Sequence, residues 1–279
     1  MPIPSRTRFG AATAALALVL AASALAGKPA PLAVQESGSG SPAIVLVHSI
    51  GGDRNDWSAV APRLAEHHRV LIVELPGHGQ SPAPDGAPTV EGASASLAKT
   101  LADRKVEHAI LVGHSYGALV ALKTAVDQPK RARAVVAVDA ATYTPADSVR
   151  IAEADRVLRE RYTVFLSAVY QAMTKNPATG DSLLARAMRV EPSVLTEYFH
   201  DSWREDLRPA IRSLKTPVHL VATEGLWPSA ESWTSARKRL GYETAGPAEG
   251  HRVAESAHMV ALDQPDSLAA IIEAVAAHP

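Results

Sequence analysis

The feature that most constrains the fold is a serine held between two glycines, where an apolar run meets a helical pattern. Gly113, Ser115 and Gly117 follow the apolar residues 110–112, and an alanine- and leucine-rich stretch comes directly after them. A chain that turns this sharply from a strand into a helix strains the central residue and needs neighbours without side chains. The pattern therefore predicts a turn that lifts the Ser115 hydroxyl off the sheet, beside the first amides of a helix.

Short apolar runs alternate with helical patterns on both sides of this turn. They lie at 43–47, 70–73, 108–112, 134–138 and 217–222. Continuous apolar runs of this length are typical of strands buried on both faces, and their alternation with helices predicts an α/β protein with a doubly wound, mostly parallel sheet. Ligands of such sheets bind beyond the carboxyl ends of the strands, which is where Ser115 is expected to lie.

The alternation stops between about residues 142 and 214. Segments there, such as 148–172 and 193–207, are helical in pattern, with no strand pattern between them. We interpret this block as a helical lid inserted over the ligand-binding edge. Because there is no second core pattern and no repeat, residues 42–279 are predicted to form one domain.

The first 41 residues are expected to lie outside that domain. Arg6 and Arg8 precede an apolar run, and small residues at 24 and 26 are typical of a signal peptidase site after Ala26. Residues 1–26 are thus predicted to be a secretory signal peptide, with an uncleaved membrane anchor as the alternative. Residues 27–41, rich in Pro, Gly and Ser, indicate a linker with one weak edge strand.

A cleaved signal places the protein in the periplasm or outside the cell, with no stable membrane association. The chain contains no cysteine, which excludes disulfides, thiolate catalysis and cysteine-bound metals. Its net charge of −1, without a basic patch, gives no reason to expect a nucleic acid partner. The segment Gly77-His78-Gly79 lacks the third glycine of a dinucleotide loop, and no metal-ligand spacing stands out, so no cofactor and no metal are expected.

Four motifs together resemble the α/β-hydrolase superfamily, from about residue 42 to the end of the chain. In order they are His48-Ser49-Ile50-Gly51-Gly52, Leu75-Pro76-Gly77-His78-Gly79-Gln80-Ser81, Gly113-His114-Ser115-Tyr116-Gly117, and Ala257-His258-Met259-Val260 followed by Asp263-Gln264-Pro265. The resemblance implies an esterase-like serine hydrolase that needs no cofactor. Its substrate would be a small acyl compound, cleaved through an acyl-enzyme intermediate.

The resemblance also implies roles for particular residues. Ser115 would be the nucleophile, and His258, which follows it late in the chain as the family order requires, would be the base. The backbone amides of Ile50 and Tyr116 would form the oxyanion hole. His251 is the nearest competitor of His258, but it lies where the last strand is expected to begin.

Other polar residues beside these loops have less direct roles. His48 and His114 are expected to bond backbone groups near the active edge. Ser49 stands where the family usually has a glycine, which leaves the amide of Ile50 in place but narrows the backbone conformations open to the loop.

The acid of the triad has two candidates. Asp139 follows the strand pattern at 134–138, a position that some family members use for the acid. Glu224 lies in the loop after 217–222, where the acid is more usual, but one residue before Gly225 rather than after it. Either carboxylate would reach the same imidazole and hold its tautomer, so both remain candidates.

The same constellation serves several reactions. The alternatives are a lactonase, a C–C bond hydrolase, an acyltransferase, a cofactor-free haloperoxidase, and a ligand-binding protein without catalysis on the same fold. Serine at the turn disfavours epoxide hydrolases and haloalkane dehalogenases, which resemble this fold but use an aspartate.

Overall fold

A computed structural model describes residues 29–145 and 147–279, so the predicted signal peptide lies outside the described residues. Within them, seven strands form one sheet in the order β1-β3-β2-β4-β5-β6-β7. The strands are β1 (Val34–Ser37), β2 (Ile44–Val47), β3 (Val70–Val73), β4 (Ala109–His114), β5 (Ala132–Val138), β6 (Val218–Thr223) and β7 (Ala248–Val253). β1 runs antiparallel to β3 and every other pairing is parallel, which confirms the predicted sheet.

Eleven α-helices are present in the same described part of the chain. They are α1 (Ala61–Leu64), α2 (Val90–Asp103), α3 (Tyr116–Asp127), α4 (Ser148–Glu160), α5 (Tyr162–Ala172), α6 (Pro177–Ala187), α7 (Pro192–Arg204), α8 (Arg208–Ile211), α9 (Trp233–Arg239), α10 (Val260–Asp263) and α11 (Pro265–Ala277). None of the helices within residues 29–145 and 147–279 has both the length and the apolar character that crossing a membrane requires.

Two apolar cores, one on each face of the sheet, explain why the strands are apolar throughout. Residues such as Val45 and Leu111 pack with α2, α3 and the inserted helices. Their neighbours Ile44 and Val112 face the other way and pack with α1 and α11. Because successive side chains of a strand point to opposite faces, a strand covered on both sides must be apolar at every position.

The helical insertion between β5 and β6 contains α4, α5, α6 and α7, and these four helices are called the lid below. The helical pattern at 148–172 proves to be two helices, because Arg161 leaves the helical conformation with φ −139° and ψ 49°. The expected edge strand also exists, at Val34–Ser37, and pairs with β3. The sheet therefore begins inside the segment that the sequence indicated as a linker.

Candidate active site

Ser115 occupies a strained turn between β4 and α3. Its φ of 53° lies in the left-handed region, which residues with side chains rarely adopt, and its ψ is −117°. A Cβ at Gly113 would collide with the carbonyl oxygen of Gly117. A Cβ at Gly117 would collide with the carbonyls of Val47 and His48. Both glycines are therefore needed to let the turn close and to seat α3 against the end of β2.

His258 and Asp139 form a hydrogen-bonded pair at the same edge of the sheet. His258 Nδ1 lies 2.7 Å from Asp139 Oδ2. The other carboxylate oxygen accepts bonds from the backbone N and the hydroxyl of Thr223, at 2.8 and 2.9 Å. A carboxylate can only accept, so the proton of a neutral His258 ring lies on Nδ1 and Nε2 carries the lone pair. That arrangement leaves Nε2 free to act as a base.

His114 connects the His258 loop to the turn at Ser115. Its Nε2 lies 2.9 Å from the carbonyl oxygen of His258, and the two ring centroids are 4.6 Å apart. Burial lowers the pKa of His114 well below its usual value, so the ring is neutral and donates from Nε2. Since His114 is the residue before Ser115, this bond ties the backbone of His258 to the turn at Ser115. The expected backbone bond of His114 is thus present.

The structure brings Asp139, and not Glu224, to His258. Glu224 is exposed and follows directly after β6. Asp139 and Thr223 lie at the ends of the neighbouring strands β5 and β6, which explains why the Thr223 backbone and hydroxyl can hold the carboxylate. Thr223 was not predicted from the sequence. The sequence could have indicated it only by the position of this hydroxyl residue, at the end of a predicted strand next to the candidate acid Glu224.

The loop after β2, residues 48–53, is held by two buried histidines. His48 Nδ1 lies 2.7 Å from the carbonyl of Ser49, and its Nε2 accepts from the backbone N of Leu75 at 3.0 Å. His78 Nε2 accepts from the backbone N of Gly51 at 3.0 Å. Burial lowers the pKa of His48, and it lowers the pKa of His78 to about 3. Both rings are therefore neutral acceptors at Nε2, and the expected backbone bonds of His48 are present.

The lid also contacts this loop. The hydroxyl of Tyr170, on α5, donates to the carbonyl of Ile50 at 2.9 Å. Gly51 has φ 70°, and a Cβ there would collide with the same hydroxyl. Burial raises the pKa of Tyr170, so its proton stays in place as a donor. The Ile50 peptide is thus positioned by a residue from the insertion.

A buried charge cluster ties α6 to the chain just after the loop. Arg186 Nη1 lies 2.9 Å from Asp53 Oδ1 and 2.7 Å from Asp56 Oδ1. Burial raises the pKa of Asp56 to about 7, against the opposing effect of Arg186. The pKa of Asp53, which accepts from the backbone N of Asn55, is lowered despite its own partial burial. Arg186 therefore contacts two different carboxyl groups: Asp53, which is ionised, and Asp56, which holds a proton up to about neutral pH.

A third lid contact covers the start of α3. The Tyr116 hydroxyl donates to Asp201 Oδ2 of α7 at 2.6 Å, and the same oxygen accepts from the backbone N of Val90 at 2.9 Å. The Tyr198 ring stands edge-on to Tyr116, with centroids 5.1 Å apart. The Tyr116 amide is the first of α3, and amides in the first turn have no partner within the helix. The start of α3 also lies against the carbonyls of Val47 and His48, which lead into the loop at 48–53.

The chain matches the model of the alpha/beta hydrolase family over residues 44–271. The chain belongs to this family. Among curated relatives, it is 35% identical over 101 residues to the dihydrolipoyllysine-residue acetyltransferase component of the acetoin cleaving system of Cupriavidus necator, covering 36% of this chain and 27% of that one. It is 36% identical over 104 residues to the pimeloyl-[acyl-carrier protein] methyl ester esterase of Cronobacter sakazakii, covering 37% and 38%.

Solved structures extend the likeness to nearly the whole chain. A hydrolase from Oleispira antarctica superposes with a TM-score of 0.79 at 14% identity, over 88% of this chain and 94% of the other. The enol-lactonase of Burkholderia xenovorans LB400 gives 0.74 at 20% identity, over 87% and 95%. At such identities these two structures show the fold alone. The curated relatives are matched over short segments, 27% and 38% of their own length in the two cases above.

Proposed function

We propose that this protein is a serine hydrolase that cleaves a carboxylic ester or a related acyl bond. The observation that carries the proposal is the Asp139–His258 hydrogen bond of 2.7 Å, formed beside the strained turn that presents Ser115. A nucleophile, a base and a carboxylate that orients the base are the three parts of acyl-transfer catalysis by serine. Asp139 is our choice for the acid, because Glu224 is exposed while Asp139 bonds the ring.

The proposed reaction uses these groups in sequence. The Ser115 hydroxyl attacks the substrate carbonyl carbon while His258 Nε2 takes its proton, and the developing oxyanion accepts from the amides of Ile50 and Tyr116. His258 then protonates the leaving group, and the acyl group stays on Ser115. His258 then takes a proton from water, and the water attacks the carbonyl carbon of the acyl-enzyme. The ring returns that proton to Ser115 Oγ as the carboxylic acid leaves.

A fluorophosphonate probe tests the nucleophile directly. The probe should label the wild-type protein at Ser115, as read by peptide mass spectrometry, and should fail to label Ser115→Ala. Ser213→Ala, a change at an exposed serine, is the matched control and should label like the wild type. A folded wild-type protein that takes up no probe would favour the alternative of a ligand-binding protein without catalysis.

A substrate panel then separates the acyl chemistries. We expect turnover of small esters, tested as p-nitrophenyl esters of short and long acids, with lactones included because they present the same carbonyl to the serine. Testing both esters and lactones is supported by the likeness to a methyl ester esterase and to an enol-lactonase. Turnover that appears only with an added acyl acceptor would indicate an acyltransferase instead.

We also propose that the protein acts outside the cytoplasm, on a small acyl substrate. The predicted signal peptide at residues 1–26 supports export to the periplasm or the outside of the cell. The partner is a small acyl substrate. Cell fractionation of the expressed full chain, with N-terminal sequencing of the product, tests the export. A protein found only in the cytoplasm with Met1 retained would contradict it.

A further inference from the structure

A cluster of two histidines and a glutamate lies on β6 and β7, away from the candidate active site. His219 of β6 pairs in register with Glu249 of β7, and His251 is two residues further along β7. Residues two apart on a strand share a face, and neighbouring strands of a sheet lie about 4.7–4.9 Å apart. The three side chains therefore converge on one face of the last two strands.

The donor atoms of this cluster are close to one another. His219 Nδ1 lies 3.1 Å from His251 Nε2 and 3.9 Å from Glu249 Oε2. One atom from each of the three side chains lies within 4.8 Å of the other two. Two imidazole nitrogens bound to one tetrahedral zinc ion at about 2.0–2.1 Å stand about 3.3 Å apart. The observed nitrogen separation is thus near the value that a shared cation requires.

We propose that His219, Glu249 and His251 bind a divalent transition-metal ion, with zinc as the best match. Two imidazoles and one carboxylate are ligands that zinc accepts, and they leave a fourth position for water. Magnesium and calcium prefer sets made of oxygen ligands, so this set disfavours them. Without a metal, the two rings share one proton in a nitrogen-to-nitrogen hydrogen bond.

The surroundings suit metal entry from one side. The side chain of His219 is 6% exposed and that of Glu249 is 72% exposed, so the first is held in place while the second is free to turn toward the ion. His219 stands four residues before Thr223, so the ion would lie about 13 Å along the strand from the Asp139 site. Its expected effect is to add a cross-link between the edge strand β7 and β6, which already pair in the sheet.

One feature of the cluster limits the expected affinity. Nε2 of His219 is buried and has no hydrogen-bond partner among the described residues. When Nδ1 binds a metal, the ring proton must sit on Nε2, where it would lack an acceptor. Outer partners of this kind are worth about 10- to 100-fold in metal affinity. We therefore expect weaker binding than a histidine set with such a partner would show.

Calorimetric titration with zinc chloride tests the site, on protein prepared without a histidine tag and cleared of metal. The wild type should bind one zinc ion per chain, and magnesium should give no saturable signal. His251→Ala should weaken zinc binding by about 100-fold or more, since a direct ligand matters more than an outer partner. His67→Ala, which removes an exposed histidine elsewhere, is the matched control and should bind like the wild type.

Cobalt provides a second measurement that does not depend on a variant. Cobalt bound to the wild type in tetrahedral geometry should give intense visible absorption, and added zinc should abolish it. Glu249→Gln, a change at an exposed side chain, should reduce zinc affinity without altering the far-ultraviolet circular dichroism. Zinc binding of equal strength in wild type and His251→Ala, or a wild type with neither saturable zinc binding nor tetrahedral cobalt absorption, would overturn the proposal.

Discussion

Two loops follow strands that lie on opposite sides of β4 in the sheet, and they are built differently. The loop at 48–53, after β2, is buried and is held by neutral imidazoles and by the lid hydroxyl of Tyr170. The loop after β7 carries His258, whose side chain is 26% exposed. That ring is anchored through Nδ1 and through the carbonyl of its own residue, which His114 bonds. The first loop is buried throughout, whereas the second holds the His258 ring at Nδ1 and leaves part of that ring exposed.

The difference corresponds to two tasks in the proposed reaction. Amides that stabilise a developing oxyanion work best when they are already in place and need no reorganisation. A base must instead pass a proton to a leaving group and then take one from water, so one nitrogen has to stay accessible. Changes to the His258 side should therefore reduce the chemical step severely, and changes to the loop at 48–53 should act through stability and positioning.

The largest effect is expected on the His258 side. Asp139→Asn keeps the shape of the side chain but removes the charge that selects the Nδ1–H tautomer. We expect kcat for ester hydrolysis to fall by about 10⁴-fold, as loss of the triad acid does in serine proteases. Glu224→Gln is the matched control and should stay within about twofold of the wild type, since exposed sites away from the chemistry change little. Equal losses in the two variants would remove Asp139 from its proposed role.

For the loop at 48–53, the largest expected loss of stability comes from replacing Arg186 of the lid. Arg186→Met keeps most of the buried length but leaves Asp53 and Asp56 without their shared cation. Removing one partner of a buried ion pair costs about 3–5 kcal/mol. We expect the lower end of that range, because Arg189 lies 3.4 Å from Asp53 and compensates in part. Urea denaturation measures the free energy of unfolding, and Arg150→Met, at a highly exposed arginine of the lid, is the control.

The pH dependence of the same cluster separates its two carboxylates. The pKa of Asp56 is raised to about 7, so the folded protein holds this proton at pH values where the unfolded chain has lost it. Its contribution to stability is complete below the unfolded pKa of about 4 and is lost as the pH rises to about 7, with a slope approaching about 1.4 kcal/mol per pH unit. Asp56→Asn mimics the protonated acid and should lack this component.

The wild type should therefore lose stability relative to Asp56→Asn as the pH rises from 5 to 7. Urea denaturation of both proteins across that range measures the difference between their free energies of unfolding. The contributions of titrating groups that the two proteins share cancel in this difference. The matched change Asp53→Asn should not show this trend, because the pKa of Asp53 is lowered rather than raised. A constant difference between wild type and Asp56→Asn would contradict the shared-arginine interpretation.

Much of the fold followed from local patterns in the sequence. The runs at 43–47 and 70–73 are apolar at every position because both faces of their strands are covered. The turn at Ser115 needs Gly113 because a Cβ there would meet the carbonyl of Gly117, which is close in sequence. Gly117 is needed because of the distant carbonyls of Val47 and His48, yet the spacing of the two glycines around the serine marked both positions.

The contacts between distant segments were not predictable in the same way. The choice between Asp139 and Glu224 depended on which of two neighbouring strand ends supplies the carboxylate and which supplies its donors, and both arrangements fit the spacing. Tyr170 and Arg186 reach their partners across 120 and 133 residues. No periodicity within the lid marks them, because their role comes from how the insertion folds back over the loop at 48–53.

The smallest effect should come from one hydroxyl of the lid. Tyr170→Phe removes the donor to the Ile50 carbonyl and leaves the ring in place. Losing an oxyanion donor outright costs about 100- to 1000-fold in kcat, so a loop that only loses one of its supports should cost about tenfold. We expect KM to change little, because in the proposed reaction the Ile50 amide stabilises the transition state and not the bound substrate. Steady-state kinetics measure both constants, with Tyr143→Phe, whose hydroxyl bonds the carbonyl of Arg239, as the control. A rise in KM at constant kcat would mean that Tyr170 shapes the substrate pocket rather than the oxyanion loop.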